Sequence, residues 1–260
     1  MSKVKLEKDY DFLHIDGIDE ETFRESTDYN YNGFPVPRVT HILRACTDQS
    51  GLISWAASMN YHAYKNIKEK ALTVGTVVHE MIDNYLRFIV GESKVEDDYP
   101  FIYSELSDSY KMTADQAYEN FKNWYQNFTY MGYRITKIID IEKKLECPIY
   151  GGTADAIVTI NDKWDYILDF KTSKEINFSY LLQLAAYQLI CNCNGGIGVI
   201  RVDKSFDGVF NDLFIPESHP DMNYYKQCFL SMVETYYRTI GCSNIYNAYC
   251  DMYNIGRIFT

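Results

Sequence analysis

From residue 133 onward the chain alternates short runs of β-branched and aromatic residues with tight turns, and this alternation limits what it can fold into. Residues 135–145 read as a strand, 147–152 as a turn, and 154–160 as a second strand. Asn161-Asp162-Lys163 is a tight turn before a third strand over 166–171. A helix is expected over 178–191, ended by Gly195-Gly196, then a buried strand over 197–202. A further strand over 206–215 and a helix over 222–237 complete the pattern. Upstream the periodicity is helical: 52–70, 72–90 and 114–130 are expected helices. The last places Ala117, Phe121, Trp124, Tyr125 and Phe128 along one stripe, a core face. Pro35 to Val39 reads as an extended entry, with Thr40 as N-cap of a short helix through Leu43. The first fifteen residues alternate weakly, as a strand or hairpin would. The expected fold class is therefore α/β: a central mixed sheet flanked by helices, with a helical part over 1–132 and the sheet-bearing core over 133–260, together one compact unit.

Size and charge narrow the functional classes. A chain of 260 residues with 47% apolar content can bury a substantial core. No apolar run approaches the roughly 18 residues a membrane-spanning helix needs, so no membrane partner is expected. The first twenty residues lack both an apolar signal core and an Arg-rich transit pattern, pointing to the cytoplasm. The seven cysteines include no Cys-x-x-Cys spacing, and Cys191-Asn192-Cys193 is too tight for the usual cluster patterns. Reduced thiols and no iron–sulfur cluster are expected. The net charge of −11 means that any contact with nucleic acid must be local and salt-sensitive. Lys65, Lys68 and Lys70, the pair Lys143 and Lys144, and Arg201 with Lys204 are the candidate basic spots.

Two carboxylates and a lysine dominate the chemistry. Asp169 and Lys171 sit two apart on an expected strand, so they share a face while Phe170 turns to the core. A lone Asp-x-Lys ordinarily forms a surface ion pair. Here Asp155 lies on the preceding strand, and pairing across the 161–163 turn brings it beside Asp169. Paired carboxylates suit Mg²⁺ or Mn²⁺, which takes oxygen ligands and keeps several waters. A lysine beside them can stabilise charge developing on a phosphate. Gln183 and Tyr187 are one helical turn apart on the next helix, and Gly75 and His79 one turn apart further upstream. The default role of His79 is a satisfied core histidine; imidazole also suits Mn²⁺.

The ordered set Gly75-x-x-x-His79, Gly152-x-x-Asp155, Asp169-x-Lys171-Thr172 and Gln183-x-x-x-Tyr187 resembles the PD-(D/E)XK nuclease superfamily, specifically its RecB-like exonuclease branch. Residues 37–43 and Leu52-x-x-Trp55-Ala56-Ala57 are similar to the N-terminal stretch of its phage-type members. The resemblance spans about residues 35–190. It implies a restriction-endonuclease-like core, with His79, Asp155, Asp169 and the backbone carbonyl of Phe170 as metal ligands and Lys171 as catalytic lysine. Gln183 and Tyr187 would position that lysine and the DNA backbone, with Thr172 on the substrate side. Glu142 matches a glutamate often found in this branch, with Glu146 as a competitor. Two departures are visible: Ala154 stands where the family name implies proline, and the cysteine set of iron–sulfur members is not reproduced.

The implied activity is Mg²⁺- or Mn²⁺-dependent hydrolysis of DNA phosphodiesters, as an exonuclease on single strands or free ends, in phage-type replication, recombination or repair. Alternatives are a structure-specific endonuclease on the same core, a catalytically silent nucleic-acid-binding module, or a metal-binding structural protein. Tyr61, Tyr64 and Tyr85 are candidate platforms for base stacking.

Overall fold

The computed structural model describes residues 29–47, 60–128, 134–205 and 211–239, with residues 54, 57, 58 and 132 between them. A small hairpin, β1 (Tyr29–Tyr31) and β2 (Phe34–Val36), leads into helix α1 (Val39–Cys46). The helix starts one step before the expected cap. Arg38 is still extended, bridged to Gly151, and takes the N-cap position, so Thr40 lies inside the helix. The expected strand or hairpin in the first fifteen residues and the motif around Trp55 lie outside the described residues.

The expected helices over 52–70 and 72–90 are instead one rod from residue 61 on, α2 (Tyr61–Ile89). No proline or paired glycine interrupts it, and the single Gly75 costs only about 1 kcal/mol relative to alanine. Asn60 caps it, its Oδ1 accepting the Ala63 amide at 2.9 Å. A short turn, α3 (Phe101–Ser104), precedes α4 (Asp108–Asn127).

The remaining elements follow the expected order: β3 (Ile135–Cys147), β4 (Tyr150–Ile160), β5 (Trp164–Lys171), α5 (Phe178–Cys191), β6 (Gly196–Arg201), β7 (Asn211–Pro216) and α6 (Pro220–Thr239). Gly151 and Gly152, read from sequence as part of a turn, belong to β4. The strands form one five-stranded sheet in sequential order. Only β5 and β6 are parallel, because α5 carries the chain back across the sheet between them.

Alternation along the central strands builds a core on each face. Ile157, Ile167, Ile197 and Val199 pack under α1, α5 and α6. Val158, Leu168, Phe170 and Ile200 pack under α2 and α4, where Phe121 and Trp124 provide the expected aromatic stripe. The second cluster draws on both sides of residue 133, so the helical and sheet-bearing parts share a core. No helix among the described residues is long and apolar enough to cross a membrane.

Candidate active site

The site sits where two strands part. The β4–β5 ladder runs from Ile160–Trp164 to Ala156–Leu168 and stops there. Beyond it, residues 150–154 of β4 pair with β3, with Gly151 also bridged to Arg38, and residues 169–171 of β5 pair with β6. Asp155 stands at the fork and substitutes a side chain for the missing backbone acceptor: its Oδ2 accepts the Phe170 amide at 2.7 Å. That contact brings Asp155 to the start of Asp169-Phe170-Lys171, the convergence expected from sequence.

Asp169 is 1% exposed, and its carboxylate is held on both oxygens by the Lys171 ammonium, at 2.8 Å to Oδ1 and 2.7 Å to Oδ2. Gln183 Nε2 lies 3.2 Å from Asp169 Oδ1 and 3.2 Å from the Tyr187 hydroxyl. The i, i+4 spacing of α5 thus places Gln183 on the carboxylate and Tyr187 behind it, against Gln183. Burial raises the pKa of Asp169, opposed by Lys171 and reinforced by Asp155. Burial pulls Lys171 down, but Asp169 and Asp155 outweigh it, and the ammonium ends above the ordinary lysine value. Its Nζ also lies 5.0 Å from the ring centre of Tyr180, a residue not singled out from sequence.

The opposite layer reaches the same fork. His79 Nδ1 on α2 is 3.5 Å from Asp155 Oδ2. Gly75, one turn earlier, faces Thr172: a Cβ there would lie 3.4 Å from Thr172 Oγ1, an ordinary contact. Between α2 and the strand ends lies a cavity of about 610 Å³ lined by Gly75, His79, Glu80, Asp83, Glu142, Asp155 and Thr172, among others. The register of β3 with β4 puts Glu142 across from Asp155. Glu142 is the one strand-interior residue among the described positions with a left-handed backbone, at φ 50°, a strain of about 1–3 kcal/mol. Its side chain is largely open, yet loss of solvent around the carboxyl, then Asp155 and Asp83, pushes its pKa up to about 7. The competitor Glu146 points elsewhere, accepting the Asn30 amide at 3.0 Å and pairing with Lys144 at 2.8 Å.

Asp83 was missed from sequence although it continues the Gly75, His79 spacing by one more turn. One of its oxygens pairs with Arg87 at 3.1 Å, and the other is buried without a hydrogen bond. Two stacking candidates fare poorly. Tyr85 is 3% exposed in the α2–α4 core. Tyr64 lies fifteen residues before His79, about 22 Å along the helix, with Lys68 5.9 Å from its ring centre. Tyr61 heads the same helix, and its side chain lies outside the described set. Phe170 turns its ring into the core, 5.1 Å from Phe121.

Among the described residues, no three His, Cys, Asp or Glu side chains stand grouped as a ready-made metal cage. Lys171 engages Asp169, while Phe170 and His79 engage Asp155. The donor chemistry nonetheless fits a hard cation. Burial, reinforced by the nearby Asp155 charge, raises the carboxyl pKa values of Glu142 and Asp169, and a divalent ion that keeps several waters needs only one or two carboxylates.

No protein-family model matches the chain, and no curated protein does. Among solved structures, SSO0001 aligns over 59% of this chain and 74% of its own at 14% identity, with a TM-score of 0.26, too loose to inform on fold or function. The folded chain is an α/β protein with a five-stranded mixed sheet flanked by helices, whose acidic residues and a half-buried lysine meet at a strand fork.

Proposed function

We propose that this chain is a divalent-metal-dependent nuclease of the PD-(D/E)XK type, built on a restriction-endonuclease-like core and acting on DNA as an exonuclease on single strands or ends. The observation that supports this reading most is the pairing of buried Asp169 with Lys171, with Asp155 tied to the amide between them. A structural ion pair does not require a second carboxylate at the same strand fork, nor a cavity beside it.

In this reading Asp155 and Asp169 hold Mg²⁺ or Mn²⁺, with His79, Glu142 and the Phe170 carbonyl as further donors. The ion, when bound, polarises the phosphate and lowers the pKa of a water. Lys171 offers its ammonium to the phosphate oxygens where negative charge develops. Its high pKa keeps it charged at neutral pH. Gln183 orients Asp169 and Tyr187, keeping the lysine and carboxylate in register. Thr172 lines the cavity beside them, on the substrate side.

The test is digestion of end-labelled linear and circular single strands in Mn²⁺. Linear strands are expected to shorten from one end, and circles to survive. Cut circles assign an endonuclease instead. Asp169→Ala and Lys171→Ala are each expected to lower turnover by roughly 10²–10³-fold or more, and EDTA to stop it until Mn²⁺ is restored. Cleavage that persists in excess chelator, or at wild-type rate in either variant, removes the assignment.

A further inference from the structure

Cys191 and Cys193 take no part in the chemistry described so far. Cys191 is the last residue of α5, and Asn192 caps the helix in a left-handed conformation, φ 53° and ψ 41°, which asparagine tolerates better than most residues. A left-handed residue keeps the Cα atoms on either side of it close, within the roughly 4.4–6.8 Å that a disulfide spans. The two Sγ atoms stand 2.6 Å apart, in direct contact. The Gln188 side chain, itself 1% exposed, donates to the Cys193 carbonyl and, at 2.8 Å, to Glu217. Just downstream, Asn194 Oδ1 accepts the Asp165 amide at 2.8 Å, and the Gly195 amide donates to the Asp165 carbonyl at 2.9 Å. The backbone around the pair is thus fixed to α5 and to β5, and it holds the thiols together.

Their surroundings differ. Cys193 is buried, and Cys191 is half-buried. The hydrogen bond from Cys193 holds the Cys191 thiol below its ordinary value, against the effect of burial. The same contact, then burial, pushes the Cys193 thiol up. A partly open thiol with a second thiol against it is the arrangement of an oxidation-sensitive cysteine and its resolving partner. Burial raises the thiols of Cys46 and Cys147, the latter to about 11, so both stay protonated and unreactive at neutral pH.

We propose that Cys191 and Cys193 are a modification site, a dithiol that hydrogen peroxide oxidises reversibly to an intramolecular disulfide. The Cys191 thiolate attacks one peroxide oxygen. The O–O bond breaks, a sulfenic acid forms, and the departing hydroxide takes up a proton and leaves as water. The Cys193 sulfur then attacks the Cys191 sulfur. The S–O bond breaks, and the displaced hydroxide leaves with the Cys193 proton as a second water. Two thiols thereby give up two electrons to one peroxide, and a thiol reductant reverses the step by exchange. The site stands apart from the nuclease reading and does not depend on it: eight residues of helix, about 12 Å, separate Cys191 from Gln183.

The experiment treats the reduced full chain with one equivalent of hydrogen peroxide, blocks the remaining thiols with N-ethylmaleimide and maps the peptides by mass. The peptide carrying both cysteines is expected to be unalkylated and lighter by the mass of two hydrogens, with all other cysteines alkylated. Dithiothreitol should restore both thiols. In Cys193→Ser the sulfenic acid has no resolving partner, so dimedone should tag Cys191. In Cys191→Ser the remaining thiol should be oxidised at least about tenfold more slowly than the wild-type pair. Should either variant not fold, the wild-type map alone decides. A peptide alkylated at both cysteines, a disulfide joining either of them to another cysteine, or oxidation of Cys191→Ser at the wild-type rate overturns the proposal.

Discussion

At the scale of single residues the Asp169–Lys171 pair carries the largest electrostatic stake. A carboxylate 1% exposed has no water to replace a lost counter-ion. Lys171→Met is therefore expected to cost about 3–5 kcal/mol of stability at neutral pH. The deficit should shrink in acid, because the stranded Asp169 carboxyl would take up a proton that the unfolded chain holds less tightly. Urea unfolding at pH 5 and pH 8 checks this, and equal loss at both pH values would mean that the carboxyl is not desolvated. Glu142 supplies a second titration. Its folded pKa of about 7 lies above the ordinary 4.5, so in that window the folded chain binds more protons than the unfolded one. Its contribution is complete below about 4.5 and is lost as pH rises through 7. Metal-free wild-type protein should lose melting temperature across that interval, and Glu142→Gln should flatten that part of the profile. These residues were nameable from sequence because their spacing is local. The left-handed backbone of Glu142 and the burial of Asp83 were not, since both arise from partners distant in the chain.

At the scale of elements, two glycines make opposite predictions. A Cβ on Gly152 of β4 would lie 2.7 Å from the hydroxyl of the buried Tyr187 on α5. Gly152→Ala should destabilise by about 1–3 kcal/mol through overpacking and displace Tyr187 from Gln183. On α2, a Cβ at Gly75 makes only ordinary contact with Thr172. Gly75→Ala should therefore be neutral or stabilise by up to about 1 kcal/mol through helix propensity. Thermal unfolding of the two variants side by side tests the pair, and a stable Gly152→Ala protein would contradict the close strand–helix approach. Strand and helix order was legible from periodicity, whereas the continuity of α2 through residue 71 was not. Residues 68–74 contain no breaker, but their outward face is charged and mixed, and only packing against α4 and the sheet shows that the two segments are one rod.

At the scale of the whole molecule, α2 and α4 cover one face of the sheet and α1, α5 and α6 the other. A fragment beginning at residue 134 would expose Val158, Leu168, Phe170 and Ile200. It is expected to retain secondary structure while binding the dye ANS and losing near-UV circular dichroism, the signs of lost specific packing. A fragment that melts cooperatively without dye binding would show that the sheet-bearing half stands alone. The amino-acid order alone determined the alternating strands, the meander, the helix that follows it and the identity of the acid–acid–lysine set, because each depends on periods of two to four residues. The tertiary structure decided where the β4–β5 ladder ends and which glutamate faces the cavity. Those outcomes depend on how two helical layers close over a twisted sheet, and contacts between residues so distant in the chain leave no local periodicity to read.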